Sequence, residues 1–472
     1  MSSHTTARSS RVKYIFQLFK TAVTGAEKDF TTGGINRAIF LLSVPMVLEM
    51  VMESLFAVVD AFFVGRLGEN ALATVGLTES VLTIIYSMAM GLAIATTATI
   101  ARRIGEKNND DASHVAMQAI YLGGIFAVIV GVLGFVFAKD VLRLMGAQPD
   151  VVAANYEYTQ IMMGSNIFIV LLFLINGIFR GAGDASVAMR SLWLANILNI
   201  ILCPTLINGL GPIPALGLKG AAIATTIGRG CGVLYQLYNL NAGKSIIHIA
   251  RRHLGFDSHI ITGLLKQGAN IAGQFLINSA SWIALARINA SFGTDAVAGY
   301  TIGVRVIIFT LLPAWGMSNA AATLVGQNLG AQQPDRAERS AWRAGFLNML
   351  FLGFIALLFF ITAPYIISWF SKEPAVVSYG IDTLRYVCLG YLFYGYGMVI
   401  VQSFNGAGDT RTPILLNLLG FWAFQIPLAY VLAITLGIGP KGVFLSIAIA
   451  ESAIAIAAMV LFKKGKWKTV KI

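Results

Sequence analysis

Apolar and polar positions alternate along the chain on the scale of a bilayer. Twelve predominantly apolar stretches centre near residues 50, 86, 126, 165, 198 and 228, then 277, 311, 352, 390, 424 and 452. Each is about 20 residues long, the length of helix that crosses a hydrocarbon core. Backbone N–H and C=O groups in lipid must be satisfied within the chain, so such stretches are helices. The pattern predicts six spans in each half. An even number returns the chain to its starting side, so the halves share one orientation and are related by an axis along the membrane normal.

The polar segments between spans repeat with an offset of 225 residues. Gly68-Glu69-Asn70-Ala71-Leu72-Ala73 reads like Gly293-Thr294-Asp295-Ala296-Val297-Ala298, and Ile104-Gly105 returns as Leu329-Gly330. Pro149 with Val151-Val152 returns as Pro374 with Val376-Val377, and Arg180-Gly181-Ala182-Gly183-Asp184 as Asn405-Gly406-Ala407-Gly408-Asp409. The regularity predicts a duplicated bundle, and in an apolar chain such halves flank a shared path through the membrane. The expected divisions are an N-terminal segment (1–37), a first six-helix bundle (38–240), a linker (241–263), a second six-helix bundle (264–463) and a basic tail (464–472). Small residues end the second span of each half, Ala98-Thr99-Ile100-Ala101 and Ala321-Ala322-Thr323-Leu324. They allow close helix approach. Asp184 and Asp409 are placed to cap the helices that follow them. The stretch Val12 to Val23 fits either a surface-lying amphipathic helix or a disordered tail.

Composition agrees with the pattern. Apolar residues make up 57% of the chain and charged residues 12%, which excludes a soluble globular domain. The net charge of +12 does not point to nucleic acid, because its distribution is topological. Segments 1–37, 102–113, 177–190, 241–266, 326–343, 404–411 and 463–472 hold 24 Lys and Arg; the opposite connections hold six, Arg66, Lys139, Arg143, Lys219, Lys372 and Lys441. The positive-inside rule places the first set, with both termini, in the cytoplasm of a multi-pass inner-membrane protein. No signal peptide is expected before the first span. Cys203, Cys231 and Cys388 have no metal-ligand spacing and read as packing residues.

The candidate chemistry lies in the first span. Glu49, Glu53 and Asp60 interrupt an otherwise apolar segment. At about 100° per residue, Glu53 falls roughly 40° from Glu49, with Asp60 between them in angle, so all three line one stripe about 16 Å long. Each charge at the bilayer centre costs on the order of 2.5–3.5 kcal/mol, so the stripe is expected to face the bundle interior and bind a proton or a small cation. Adding 225 maps Glu49 to Gln274, Glu53 to Asn278 and Asp60 to Leu285. By that comparison the second bundle keeps polar groups and loses the charges. Asn166, Asn176, Asn196 and Asn199 offer amide oxygens that suit Na⁺ or tune a carboxylate, and Pro204 frees a backbone carbonyl nearby. Tyr86 and Met163 are candidates for an adaptable apolar wall. Glu79, Arg287, Arg305 and Arg385 are expected to snorkel to an interface. The chain has no His-Glu-x-x-His, phosphate loop or Ser/His/Asp grouping, and no enzyme activity is expected.

Together these residues resemble the multidrug and toxic compound extrusion (MATE) family. The resemblance rests on Pro45 with Val59-Asp60-Ala61-Phe62-Phe63-Val64-Gly65, on Gly68 to Ala73, on Ala98 to Gly105, and on Arg180 to Asp184 with its echo. It covers nearly the whole chain. It implies a V-shaped pair of six-helix bundles that exports amphipathic, often cationic, organic compounds against inward H⁺ or Na⁺ flow. The family's first-span acid matches Asp60, and its fifth-span Asn matches Asn199. Two positions depart from the family: Cys203 stands where many members carry Asp, and Asn278 and Tyr394 stand where a second-bundle cation site has acids. The resulting expectation is a secondary antiporter without cofactor, acting as a monomer on small organic molecules. The only metal it admits is Na⁺ at Asp60. The alternative is a lipid-linked precursor flippase of the same superfamily, which calls for a cationic central cavity.

Overall fold

A computed structural model describes residues 2–25, 29–212, 214–243 and 245–472, with side chains from residue 13 onward. The architecture is all-helical and integral to the membrane. Twelve span-length helices among the described residues form two six-helix bundles. The first bundle runs Ile35–Gly65, Glu69–Gly105, Asn109–Val136, Pro149–Gly181, Ala185–Asn208 and Gly217–Asn241. The second runs Ser258–Ala290, Thr294–Gly330, Pro334–Phe370, Pro374–Ala407, Arg411–Thr435 and Pro440–Lys463. Nine of these helices are long and apolar enough to cross a membrane alone. The tenth span is a pair, Pro374–Cys388 and Tyr391–Ala407, bent by 58°. The sixth and seventh, Gly217–Asn241 and Ser258–Ala290, are of spanning length but more polar in sequence. The eleventh departs from α geometry in two π-helical stretches, Leu418–Gln425 and Val431–Thr435.

Small residues determine where the bundles meet. A Cβ at Gly105 would collide with the Gln327 carbonyl, and one at Gly330 with the Arg102 carbonyl. These two glycines are 225 residues apart, so the same contact is made twice about the pseudo-twofold axis. One register step deeper the symmetry recurs. A Cβ at Gly91 would lie 2.5 Å from the Gly268 carbonyl, and one at Gly316 2.7 Å from that of Met46. Within each bundle the repeated turns pack equally closely: Gly181 lies on Thr97 and Gly406 on Ala322. Hydrogen bonds across the seam gather at this basic end. Thr323 Oγ1 donates to the Arg180 carbonyl (3.3 Å), Gln327 Nε2 to that of Gly181 (3.2 Å), and Arg102 Nη2 to those of Ala407 (3.3 Å) and Val470 (2.8 Å). At the opposite end of the spans, Val58, Phe62, Ile84, Ile283 and Ile308 are exposed.

Polar loops tie the basic end together. Asp29 pairs with Lys107 of the first bundle at 2.8 Å, while Arg336 and Arg343 of the second reach the Gly33 carbonyl (2.9 Å) and Asn36 Oδ1 (2.8 Å). The Lys107 ammonium and the Thr31 hydroxyl hold the Asp29 carboxyl down to about 2. The N-terminal helix, Ser2–Thr24, packs Leu18 and Ala22 on the first span and exposes Tyr14, Ile15 and Phe16. Val12, part of that amphipathic stretch, lies outside the described side chains. The seventh span starts at Ser258, capped by Asp257, within the segment read from sequence as linker. The preceding residues strap onto the first bundle through Gln118, which donates to the Gly255 carbonyl at 2.6 Å. Asp409 caps as expected, accepting from the Thr412 amide at 3.2 Å. Asp184 accepts instead from Ser186 and Ser245 hydroxyls, at 3.1 and 3.3 Å.

If the glycine contacts hold the basic end shut, Gly330→Leu will force it open. A cysteine introduced at Gln327 should then become reactive to a membrane-impermeant maleimide from the basic side, about tenfold faster than in the parent. Unchanged labelling would show that the seam does not depend on this approach.

Candidate functional site

The first and fifth spans run side by side with one register. Glu53 meets Asn196, and Asp60 meets Cys203, both at a sequence separation of 143. Asn196 Nδ2 donates to Glu53 Oε2 and to the Met52 carbonyl, each at 3.3 Å. The Cys203 thiol is directed at Asp60 Oδ1 from 3.9 Å. Trp193 Nε1 donates to the Leu48 carbonyl at 3.1 Å and fixes the pair at its deeper end. Glu53 and Asp60 therefore face polar positions on the fifth span, whereas Glu49 meets the fourth.

Two buried arginines change the electrostatics. Arg180 Nη1 stands 3.7 Å from Glu49 Oε1, with both side chains enclosed. Arg229 Nη2 stands 3.6 Å from Glu53 Oε1 and sits among the rings of Phe56, Tyr86 and Phe173 at 5.5–5.8 Å. Pairing thus changes with depth: Glu49 is paired and enclosed, Glu53 is paired and partly accessible, and Asp60 is half-buried beside a thiol.

The amides divide by role. Asn176 Nδ2 donates to Glu49 Oε1 at 3.0 Å, and its carbonyl oxygen accepts from Ser191 (3.0 Å) and Gln236 (2.7 Å). This network holds the Glu49 carboxylate, whose Oε2 has no partner. Asn199 donates to Thr225 Oγ1 at 2.9 Å and leaves a buried Oδ1 unpartnered. Asn166 turns back on the Met163 carbonyl at 2.7 Å and makes no contact with the acids. Met163 is fully packed, filling the space beneath Gly134 in the apolar core. Tyr86 packs edge-on against Phe173, at 6.0 Å between centroids.

The second bundle contains a partly open cavity of about 280 Å³. Gln274 and Asn278 line it, as does Tyr394. Gln274 and Asn405 exchange two amide hydrogen bonds of 3.1 Å, and Gln402 continues the chain to Asn319 at 2.8 Å. Asn278 Oδ1 accepts from Trp282 Nε1 at 3.0 Å. The same cavity contains Glu451 of the last span, which is buried. The inference from the repeat that the second bundle carries no interior charge is therefore corrected. The offset of 225 takes Glu451 to Thr226, so comparing the halves position by position from the first-span acids passed it over.

Arg180 and Arg229 were missed for different reasons. Arg180 ends a span inside a glycine turn and reads as a cytoplasmic charge. Arg229 is flanked by Gly228 and Gly230 in a span poor in large apolar residues. The signal for it was present: it is the fourth of four arginines left within spans once the loops are counted, beside Arg287, Arg305 and Arg385. An intramembrane charge is a functional candidate by default.

Comparison with known proteins agrees with this architecture. The MatE family model matches residues 45–205 and 271–431, once in each bundle. A probable multidrug resistance protein of Bacillus subtilis, YoeA, is 26% identical over 84% of this chain and 87% of its own length. A FAD transporter of Shewanella oneidensis is 27% identical over 91% and 95%. A solved structure described as the outward-facing conformation of a multidrug resistance MATE family transporter superposes with a TM-score of 0.87 at 26% identity, covering 93% of this chain and 98% of that one. With both bundles matched by the family model and the charged interior built on its helices, the chain belongs to the MatE family of membrane transporters.

Proposed function

We propose that the protein is a secondary antiporter that exports amphipathic organic cations in exchange for protons. The observation that carries this reading is the graded first-span stripe. Asp60 and Glu53 remain partly accessible toward the open end, while Glu49 is sealed beneath them. Multidrug relatives of similar length support small organic substrates. Taking the basic end as cytoplasmic, the close contacts between bundles lie on the inside, and we read this as an outward-opening arrangement, suited to release of cargo and entry of the coupling ion. Residues 38–240 and 264–463 are then the two moving units, pivoting on the glycine seam.

Roles follow from environment. Glu49 is a fixed structural anion, held by Arg180 and Asn176. Asp60 and Glu53 exchange the ion. Of the two ions the sequence admits, the neighbours of Asp60 favour H⁺ over Na⁺, because a thiol is a soft partner and a poor substitute for the oxygen ligands of a hard cation. Asn199 Oδ1, buried and without a partner among the described residues, lies about one helical turn from Cys203 on the fifth span. A ligand shifts the equilibrium between the two arrangements only through its differential affinity for them, so protonation has to weaken cargo binding in the outward form. The flippase alternative needs a basic cavity for phosphates. Here Arg180 and Arg229 are each committed to a carboxylate, and the lining of the second cavity contains no Lys or Arg.

Two outcomes are expected. Asp60→Asn, expressed at the parental level, should reduce drug efflux from cells to that of cells lacking the transporter; parental efflux would remove Asp60 from the coupling step. Arg180→Met should lower thermal stability in detergent steeply, since breaking a buried pair costs about 3–5 kcal/mol. Adding Glu49→Gln should recover most of the loss. No recovery would mean that Arg180 acts through something other than Glu49.

A further inference from the structure

We propose that the second-bundle cavity around Glu451 is a binding site for a compact planar organic monocation, with Glu451 as its counter-ion. The argument starts from an imbalance between the bundles. In the first bundle, Glu49 and Glu53 each face a buried arginine. In the second, the Glu451 carboxyl is 8% exposed, accepts no hydrogen bond and meets no cation among the described residues. A carboxylate in such a position is too costly to stay ionised without a partner. It lines a cavity, so the partner can come from outside the protein.

The rest of the lining selects the partner. No Lys or Arg borders the space, which disfavours an anion. Phe275 and Trp315 both line the space and stack on each other, with centroids 5.2 Å and planes 10° apart. Trp315 Nε1 is buried without an acceptor. Phe421, from the π-helical part of the eleventh span, adds another ring. Aromatic faces attract cations most strongly when water is excluded. The amides of Gln274, Asn278 and Asn405 supply a polar floor that can orient one end of a ligand. At about 280 Å³ the space lies just under the usual range for drug-sized ligands, roughly 300–1,000 Å³, and so suits a small fused-ring cation.

This inference rests on the reading of the protein as an exporter of organic cations, and its test is arranged to separate the two. Purified full-length protein would be titrated with proflavine at equilibrium, without any gradient, following fluorescence anisotropy. Acridone serves as a neutral planar control. Glu451→Gln is expected to weaken proflavine binding about tenfold and to leave acridone binding unchanged. Glu451→Asp should retain most of the proflavine affinity, and Trp315→Leu should weaken both ligands. Proflavine binding that is equal in Glu451→Gln and the parent, or absent from the parent, overturns the site. If Glu451-dependent binding is found but neither a pH nor a Na⁺ gradient moves proflavine in vesicles, the site stands and the export reading fails. Gradient-driven transport with binding that ignores Glu451 is the reverse result.

Discussion

A charge buried within a bilayer has to be matched, and the interior of this protein is organised by that requirement. Each unmatched charge costs on the order of 2.5–3.5 kcal/mol at the centre of a span. Glu49 meets Arg180, and Glu53 meets Arg229. These pairs draw the first, fourth, fifth and sixth spans onto one polar axis, with Asn176, Ser191 and Gln236 satisfying the remaining groups. Toward the open end the matching weakens. Asp60 has a thiol rather than a cation beside it, and an exchangeable ion can complete its shell. The depth order along one helix thus sets an enclosed, arginine-paired acid apart from two that keep some exposure.

The duplication supplies shape, and divergence supplies chemistry. Gly105 and Gly330, and Gly91 and Gly316, keep close contacts across the seam at an offset of 225, and Gly181 and Gly406 repeat a contact within each bundle, because these approaches leave no room for a Cβ. The polar interiors are under no such demand. The stripe of three acids in the first bundle corresponds to Gln274, Asn278 and Leu285 in the second, while the second gains Glu451 with no acidic counterpart. One bundle therefore carries two arginine-paired acids and a third beside a thiol, and the other a solitary carboxylate in a cavity. The two bundles thus share a shape at the seam and differ in the chemistry of their interiors.

Much of this was legible in the sequence, for physical reasons that also mark its limits. A bilayer imposes length and apolarity, so the spans appear directly as runs. The seam imposes register, so the glycine turns repeat without slippage. Lone acids in an apolar helix stand out, and their angular spacing placed them on one face before any coordinates. Partners across helices were not readable in the same way. Arg229 sits in a span whose glycines dilute its apolar signal, and Arg180 hides at the end of a turn. Glu451 was hidden by the very comparison of halves that revealed the fold, because that comparison asks only what changes at matched positions. Asn166 and Met163 show the converse error: polar or adaptable side chains in a span can simply satisfy their own backbone or fill the core.

The central claim is that carboxylates of the first span exchange protons for an organic cation. The most direct test is efflux of a fluorescent organic cation from vesicles reconstituted with the purified protein, with a pH gradient and a Na⁺ gradient imposed separately. The account predicts that the pH gradient alone drives efflux and that the Na⁺ gradient alone does not. Efflux under Na⁺ alone would contradict the assignment of the proton, and efflux under neither gradient would contradict antiport itself.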